Sequence, residues 1–418
     1  MPHVLKKPNV PESRTKQQSI PNHRDLVTFS VNRSQSFLLA LQSAIGPVRD
    51  ETVLLHAPEF AGNELAYVTE CVETGWVSSA GKFVDEFEQR LAQFTGAKHA
   101  IAVANGTAAL HVALVLAGVQ TGDEVLVPAL SFVGTANSVA HCGAIPHFVD
   151  SALSTLGLDP VALADHLNRV AVSRSGATFN RDTGRRIAAI VPMHTFGHPV
   201  DLNALCELAA RYSLPIIEDA AESLGSSYQG QHTGTFGLLG ILSFNGNKIV
   251  TTGGGGAILT NDAALGQRAK HLTTTAKQPH RWEFVHDEVA WNYRLPNLNA
   301  ALGCAQLERL PDMLARKREL ANRYRQAFAM NPYFSFCNEP VGTISNYWLN
   351  AIRMSDSDVN ARNDLLTAAN NAGYQCRPVW RLLNSLPMYV NCPTAALPNA
   401  QLLEASLINI PSSAFLTQ

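Results

Sequence analysis

Short apolar runs alternate with helical stretches from about residue 59 onward, and this alternation limits the folds that the chain can adopt. Runs of this kind are typical of strands buried on both faces, and a helix between two strands lets them lie in parallel. The pattern therefore predicts an α/β fold, with a mainly parallel sheet covered by helices. The runs are HAIAVAN, EVLVPAL, IPHFVD, IAAIVPMH and PIIEDA, and the helical stretches include TAALHVALVLAG and DLNALCELAARY.

One helix can be predicted in detail before the first of these strands. In FVDEFEQRLAQFTG, the apolar residues Phe83, Phe87, Leu91 and Phe94 recur at the spacing of one helix face. Gly96 follows them, and a glycine in that position commonly ends a helix.

The chain divides into three predicted segments. Residues 1–33 are polar and without a period, so we expect a flexible extension. Residues 34–310 carry the alternating pattern and form the large domain, in which SQSFLLALQSAIG packs either on the body or on a second subunit. The strand-like NYWLNAIRM then indicates a smaller α+β domain over residues 311–418.

The composition argues against nucleic acid and membranes as partners. The net charge is −2, and lysine and arginine do not cluster on any predicted face. The longest apolar runs are far too short to span a bilayer. Seven cysteines without a C-x-x-C pair indicate reduced thiols, so a cytoplasmic protein is expected.

The first candidate site follows the strand HAIAVAN, where Asn105, Gly106 and Thr107 precede a helix. Ligands of open parallel sheets bind at the carboxyl ends of strands. Backbone N–H groups at a helix N-terminus, together with a threonine hydroxyl, form an anion site that suits a phosphate. The alternative is that Asn105 or Thr107 only caps the helix.

The second candidate is Asp219, which ends the apolar strand of PIIEDAAESLGS among small residues. A carboxylate there needs a hydrogen-bond or charge partner, because an isolated buried charge is costly. A protonated pyridine nitrogen would be a suitable partner. A helix cap or a salt bridge within the chain is the alternative.

The third candidate is Lys248, the single cation of the segment SFNGNKIVTTGGGG. An amine near apolar groups and other cations loses its proton more readily and becomes a nucleophile toward an aldehyde. Ser243 precedes it and could contact a phosphate, and the glycines that follow let the backbone turn tightly and approach a ligand. The alternative is a solvated lysine on a glycine-rich loop.

The three candidates together match the needs of pyridoxal phosphate (PLP). A phosphate cradle, an acid and a lysine follow one another along an α/β sheet. In PLP enzymes the phosphate anchors the cofactor, a carboxylate keeps the ring nitrogen protonated and a lysine forms the Schiff base. The combination predicts a PLP site with Asp219 and Lys248 as its catalytic residues.

The chain from about residue 54 to its C-terminus resembles the DegT/DnrJ/StrS family of nucleotide-sugar aminotransferases. The resemblance implies the fold-type I PLP fold, with a sheet of the seven-stranded type in the large domain. It also implies a homodimer whose active sites lie at the subunit interface. The matching stretches are GWVSSAGKFVDEFE, VANGTAALHVAL, GDEVLVPALSFVGTANSV, IIEDAAESLGS, SFNGNKIVTTGGGG and NYRLPNLNAALGCAQLERL.

The resemblance also implies roles for individual residues. Lys248 would be the Schiff-base lysine, and Asp219 the partner of the pyridine nitrogen. Phe132 matches the aromatic residue that stacks on the ring, and Asn292 matches the residue that reaches the phosphate from the other subunit. Glu222 stands where many members have Gln or His, and thus departs from the family at the contact to the ring hydroxyl. The phosphate contacts would be Gly106, Thr107 and Ser243.

Within the family, the stretches HAPEFAGNE, GWVSSAGKFVDEFE and SFNGNKIVTTGGGG are most similar to one branch. That branch aminates UDP-linked 4-keto-6-deoxy-N-acetylhexosamines on the route to legionaminic-acid-type sugars. The similarity therefore implies a nucleotide-sugar substrate, amination at the 4-keto carbon and L-glutamate as the donor.

Five further residues each have two open interpretations. His194 either lies near the cofactor or belongs to the core. Arg377 and Arg381 either meet a sugar diphosphate or the donor carboxylate, or they are solvated at the surface. Trp76 and Trp380 either stack on a base or sugar, or pack in the core.

Three other functions fit the sequence less well. A PLP-dependent sugar dehydratase of the same fold has histidine in place of the Schiff-base lysine, whereas this chain has Lys248. A non-catalytic protein that binds nucleotide sugars would be expected to lack the lysine or Asp219. A Rossmann NAD-dependent enzyme would carry G-x-G-x-x-G after its first strand, and this chain does not.

Overall fold

The secondary structure of the computed structural model covers residues 32–49 and 51–417. The helices are α1 (Arg33–Ile45), α2 (Glu64–Thr74), α3 (Lys82–Thr95), α4 (Gly106–Leu116), α5 (Val133–His141), α6 (Pro160–Val170), α7 (Leu202–Arg211), α8 (Ala263–Thr273), α9 (Asn297–Phe328), α10 (Val359–Asn371) and α11 (Pro398–Ser406). The strands are β1 (His99–Val103), β2 (Glu124–Pro128), β3 (Ile145–Val149), β4 (Ala171–Arg174), β5 (Ala177–Asn180), β6 (Ile187–Ile190), β7 (Ile217–Asp219), β8 (Ser227–Tyr228), β9 (Gln231–His232), β10 (Leu239–Ser243), β11 (Gly256–Thr260), β12 (Phe334–Phe336), β13 (Thr343–Ile344), β14 (Asn350–Met354), β15 (Arg377–Pro378) and β16 (Leu407–Ile410).

The main sheet consists of a three-stranded and a four-stranded ladder that lie edge to edge. β2 pairs in parallel with β3 and β6, and β10 pairs in parallel with β7. Bridges Ile190–Ile216 and Met193–Asp219 join the ladders, so the strand order is β3–β2–β6–β7–β10–β11–β1. β11 is antiparallel to both of its neighbours, because the chain returns from β10 without a crossover helix. The predicted α/β fold with a mainly parallel sheet is confirmed.

Helix α3 shows how apolar spacing positions an element against this sheet. Phe87 and Leu91 are fully buried and Phe83 is 3% exposed, while Phe94 lies at the edge of the core with 36% exposure. Gly96 ends the helix in the left-handed conformation, with φ of 75°. Both the predicted helix and its C-terminal signal are confirmed.

A second, C-terminal core lies behind the antiparallel sheet β12–β14–β16–β15. Helix α1 contributes Phe37 and Leu41 to this core, and the end of α9 contributes Tyr324 and Phe328. The amphipathic segment around α1 therefore packs on the body of its own chain. Residues 1–31 of the predicted flexible extension lie outside the described residues.

Residues Arg33–Gln418 form one compact unit, and α9 runs through the predicted domain boundary at residue 310. The division into domains over 34–310 and 311–418 stays a prediction. All seven cysteines are free thiols. In the part of the chain that the structure describes, no helix has the length and apolarity needed to cross a bilayer.

The glycines that follow Lys248 have two different structural roles, a tight turn and a close approach to a neighbouring backbone. Gly253 takes a left-handed turn with φ of 76°. A Cβ on Gly256 would lie 2.5 Å from the carbonyl carbon of Asn105 and 2.7 Å from the amide nitrogen of Gly106. Gly256 of β11 thus approaches the turn that opens α4 and fixes that turn against the sheet, while the approach of these glycines to a ligand stays a prediction.

Candidate active site

A pocket of about 320 Å³ opens where β7 and β10 end and α4 begins. Ligand sites of open α/β sheets occur at this edge, outside the carboxyl ends of the parallel strands. The predicted site residues that line it are Gly106, Thr107, Phe132, Asp219, Glu222, Ser243 and Lys248.

The N-terminus of α4 forms one end of the pocket. The Asn105 side chain caps the helix by accepting a hydrogen bond from the Ala108 amide at 2.8 Å. The first N–H groups of a helix have no partners within the helix, and they favour an anion. A Cβ on Gly106 would lie 3.0 Å from Cβ of Ser243, so the glycine keeps this turn close to the end of β10. The cap and the anion site therefore coexist.

Asp219 lies at the carboxyl end of β7 and is 5% exposed. Its carboxylate accepts hydrogen bonds from two uncharged groups, Thr135 Oγ1 at 2.8 Å and the Ala221 amide at 3.2 Å. Burial raises the pKa of Asp219, and the bond from Thr135 opposes that shift. The salt-bridge alternative is not what the structure shows, because Lys248 pairs with Glu222 instead. A cation bound in the pocket would compensate the buried charge of Asp219.

Lys248 points into the pocket and is not a solvated lysine. Its side chain is 13% exposed, and its Nζ lies 3.3 Å from Glu222 Oε1. On another side, the same Nζ lies 3.6 Å from the centroid of the Trp348 ring. The lysine thus ends in contact with one carboxylate and one aromatic face.

Glu222 is buried, and both of its oxygens are engaged. Oε1 faces Lys248, and Oε2 accepts a hydrogen bond from the amide of Phe196 at 2.9 Å. Phe196 has φ of 56°, a conformation that a bulky residue rarely adopts, and this bond helps to hold it. Burial raises the pKa of Glu222 to about 7; the Lys248 charge opposes the shift, and the Asp219 charge adds to it.

The two open interpretations of His194 are resolved by its surroundings. His194 is fully buried; its Nε2 lies 3.0 Å from Glu218 Oε2, and its Nδ1 accepts a hydrogen bond from the Val200 amide at 3.3 Å. Its neighbour Met193 lines the pocket, whereas His194 does not. His194 is therefore a core residue.

Of the other residues with two open interpretations, one lines the pocket and three do not. Trp380 lines the pocket, with its ring 5.1 Å from that of Phe196. Arg377 and Arg381 are exposed, and neither lines the pocket. Trp76 is 59% exposed and lines a different cavity.

Asn292 does not line the pocket of its own chain. It is exposed, and its side-chain oxygen accepts a hydrogen bond from Arg294 Nε at 2.9 Å. Helix α9 begins after Pro296 without a side-chain cap, so Asn292 does not cap that helix. The contribution of Asn292 to a partner's site stays a prediction.

The sequence analysis missed two side chains of the pocket that contact Asp219 and Lys248. Thr135, the hydrogen-bond donor to Asp219, stands three positions after Phe132, and this one-turn spacing was an available signal. Trp348 was noted only as part of the strand-like run NYWLNAIRM. No spacing links Trp348 to Lys248, which is a hundred positions earlier in the chain.

The groups that line the pocket fit PLP. The N-terminus of α4 and the nearby Ser243 suit its phosphate, and the buried Asp219 suits a protonated ring nitrogen. Phe132 is 51% exposed although it stands at the start of a buried helix, so its ring is available for stacking. Lys248 Nζ is the available amine. The fold and the pocket together define a fold-type I PLP-dependent enzyme.

The chain belongs to the DegT/DnrJ/EryC1/StrS aminotransferase family, whose model matches residues 58–418. It is 36% identical over 368 residues to a GDP-perosamine synthase of Caulobacter vibrioides. This match covers 87% of this chain and 93% of the relative. The family resemblance stated from the sequence is confirmed, as are the enzyme class, a PLP-dependent sugar aminotransferase, and the cofactor PLP.

Solved structures of similar proteins share the fold. The aminotransferase TlmJ from Streptoalloteichus hindustanus is 29% identical with a TM-score of 0.78, over 86% of this chain and 93% of that one. PseC of Helicobacter pylori, an aminotransferase involved in the biosynthesis of pseudoaminic acid, is 25% identical with a TM-score of 0.79. The match with PseC covers 87% of this chain and 94% of that one. These similarities confirm fold-type I.

We predict that Glu222→Gln removes a pH dependence from the stability of the chain. A buried carboxyl with a folded pKa of about 7 and an unfolded value near 4.5 binds its proton more tightly when folded. Between these values the free energy of unfolding therefore falls as pH rises, by at most about 1.4 kcal/mol per pH unit. The Gln side chain keeps the acceptor for Phe196 but cannot titrate.

The measurement is urea unfolding of both proteins, freed of cofactor, at several pH values from 4.5 to 8. The wild type should lose stability relative to Glu222→Gln as pH rises through this window. Parallel stability curves would show that Glu222 does not titrate there.

Proposed function

We propose that the chain moves an amino group from L-glutamate to the 4-keto carbon of a nucleotide-linked 4-keto-6-deoxy sugar. The product would serve the synthesis of surface-glycan sugars in the cytoplasm. The observation that carries the proposal is the convergence of Lys248, Asp219 and the N-terminus of α4 on one pocket. Membership of an aminotransferase family supports the reaction class.

The residues of the pocket divide the work in this proposal. PLP, when bound, supplies an electron sink for the carbon that loses its proton. Lys248 is the amine that bonds the cofactor and moves protons at the substrate carbon. Asp219 keeps the ring nitrogen protonated, because a cation there offsets its buried charge. Phe132 would stack on the ring, and Gly106, Thr107 and Ser243, which line the same pocket, would hold the phosphate.

Two substrates are candidates, and they differ in the nucleotide and in the sugar that it carries. Similarity of HAPEFAGNE and the neighbouring stretches supports a UDP-linked 4-keto-6-deoxy-N-acetylhexosamine, of the legionaminic-acid type. The similarity to GDP-perosamine synthase supports a GDP-linked sugar instead. The donor and the 4-keto carbon are the same in both.

A homodimer with shared active sites completes the proposal. The N-terminus of α4 and Ser243 offer hydrogen-bond donors to a phosphate bound in the pocket. A dianionic phosphate favours further donors beyond these. Asn292 is exposed and does not cap α9, and both observations support a role of its amide group in the site of a neighbouring subunit.

A substrate panel tests the reaction. The purified enzyme with PLP and L-glutamate is offered UDP-, GDP- and dTDP-linked 4-keto-6-deoxy sugars, and products are identified by mass spectrometry. We expect amination of a UDP- or a GDP-linked sugar, with kcat/KM at least about tenfold above the others, a difference of about 1.4 kcal/mol. If none of these sugars were aminated and no glutamate were consumed, the assigned substrate class would be contradicted.

Lys248→Ala should abolish amination and the visible absorbance of lysine-bound PLP, because no second amine is found among the described residues that line the pocket. Lys98→Ala is the matched control, since Lys98 is exposed at the start of β1. The control should keep both signals. Turnover by Lys248→Ala above a small residual rate would contradict the proposal that Lys248 is the amine that bonds the cofactor.

A subunit-mixing test addresses the shared site. Lys248→Ala and Asn292→Ala chains, each inactive or weak alone, are combined under conditions that allow subunit exchange. If Asn292 serves the partner's phosphate site, one site of each heterodimer has both defects and the other has none, so part of the wild-type activity returns. No recovery despite proven exchange, or a fully active monomer, would contradict the shared-site model.

A further inference from the structure

Trp348 lines the pocket, and the roles proposed above do not use it. Its side chain is 5% exposed, and its ring face lies under the Lys248 amine, with Nζ 3.6 Å from the ring centroid. Tryptophan is the aromatic residue that attracts a cation most strongly in this arrangement.

The backbone and ring of Trp348 are held in place from three directions. Its Nε1 donates a hydrogen bond to the carbonyl oxygen of Asn247 at 2.7 Å, and Asn247 directly precedes Lys248. Its amide donates to Asn346 Oδ1 at 2.8 Å. Its carbonyl accepts a bond at 3.1 Å from Nζ of Lys317, a fully buried lysine. One indole thus fixes both the backbone before Lys248 and the position of its amine.

We propose that Trp348 is a positioning residue for Lys248, and that its ring holds the lysine amine inside the pocket whenever that amine is not bonded. Glu222 holds the amine from the other side at 3.3 Å. A carboxylate and an aromatic face both attract an ammonium group, so the amine held between them has little freedom to leave the pocket. This inference rests on the proposed role of Lys248.

Other charged groups act on the same amine. The Lys248 charge opposes the rise in the pKa of both Glu222 and Asp219, so both carboxylates lie within its range. His56 also lies within the range of the Lys248 and Lys317 charges, and burial lowers its pKa well below the usual value, so it stays neutral. Burial lowers the pKa of Lys317 to about 7. These groups remain unchanged when only the ring of Trp348 is replaced.

The test compares Trp348→Phe with Trp348→Met in the full-length chain freed of cofactor. Phe keeps an aromatic face without the indole N–H, whereas Met fills the space without such a face. Acetylation of Lys248 by acetic anhydride is followed by peptide mass spectrometry from pH 6 to 11. Each rate is divided by its own plateau at high pH, which removes differences in access.

On the acidic side of the curve, the normalised rate should rise by about threefold to tenfold in Trp348→Met. Trp348→Phe should lie between Met and the wild type. The holoenzymes should show a matching change in the acid limb of their kcat profiles. Identical normalised curves for the wild type and the Met variant would overturn the proposal, and so would Phe behaving like Met.

A second measurement needs only variants with conservative replacements. The emission of Trp348 is taken as the difference between the wild type and Trp348→Phe, and it should change with pH in step with Lys248 acetylation. Lys248→Met should abolish that change, and its persistence would overturn the proposal. If the wild-type chain took up no PLP at Lys248, the proposed function would fail, while these measurements would still report on the contact.

Discussion

The desolvation of two carboxyl groups beside one lysine is the constraint on which the pocket depends. Asp219 and Glu222 are both buried, and Lys248 is the cation near them. Removing such charges from water costs several kcal/mol per ion, and the pairing repays this cost only in part. The cluster is therefore a weak source of stability. The apolar faces of the sheet and its helices must supply that stability, and they do so with the fully buried side chains of the main core.

Two adjacent carboxylates show how closely the scaffold controls charge. Glu218 and Asp219 are neighbours in β7, and successive side chains of a strand point to opposite faces. Glu218 faces a turn that donates three backbone N–H groups, and His194 adds a fourth donor. These bonds outweigh burial and lower the pKa of Glu218, whereas burial prevails at Asp219 and raises its pKa. Asp219, the carboxylate that faces the pocket, is therefore the one whose negative charge a bound cation would stabilise.

The order of strands and helices along the chain predicted most of the pocket residues, but not the contacts made by distant segments. Gly106, Asp219 and Lys248 follow strand ends, and the carboxyl ends of parallel strands meet at one edge, so their proximity was accessible from the sequence. The same strand logic placed His194 near the cofactor as one of two interpretations, yet the alternation of side chains gives that place to Met193. Trp348 and the packing of α1 depend on contacts between distant segments, which leave no period in the sequence. The sugar and its nucleotide leave no such pattern either.

Helix α9 has 32 residues and belongs to both cores of the chain. Its first turns bury Ala300, Ala301 and Cys304 in the main core, and its last turns bury Tyr324 and Phe328 in the C-terminal core. An intact helix of this length is a rod of about 48 Å. Neither core can unfold without exposing part of that helix, so we expect the two regions to unfold in one cooperative transition. The packing of the C-terminal sheet should then contribute to the thermal stability of the region around the pocket as well.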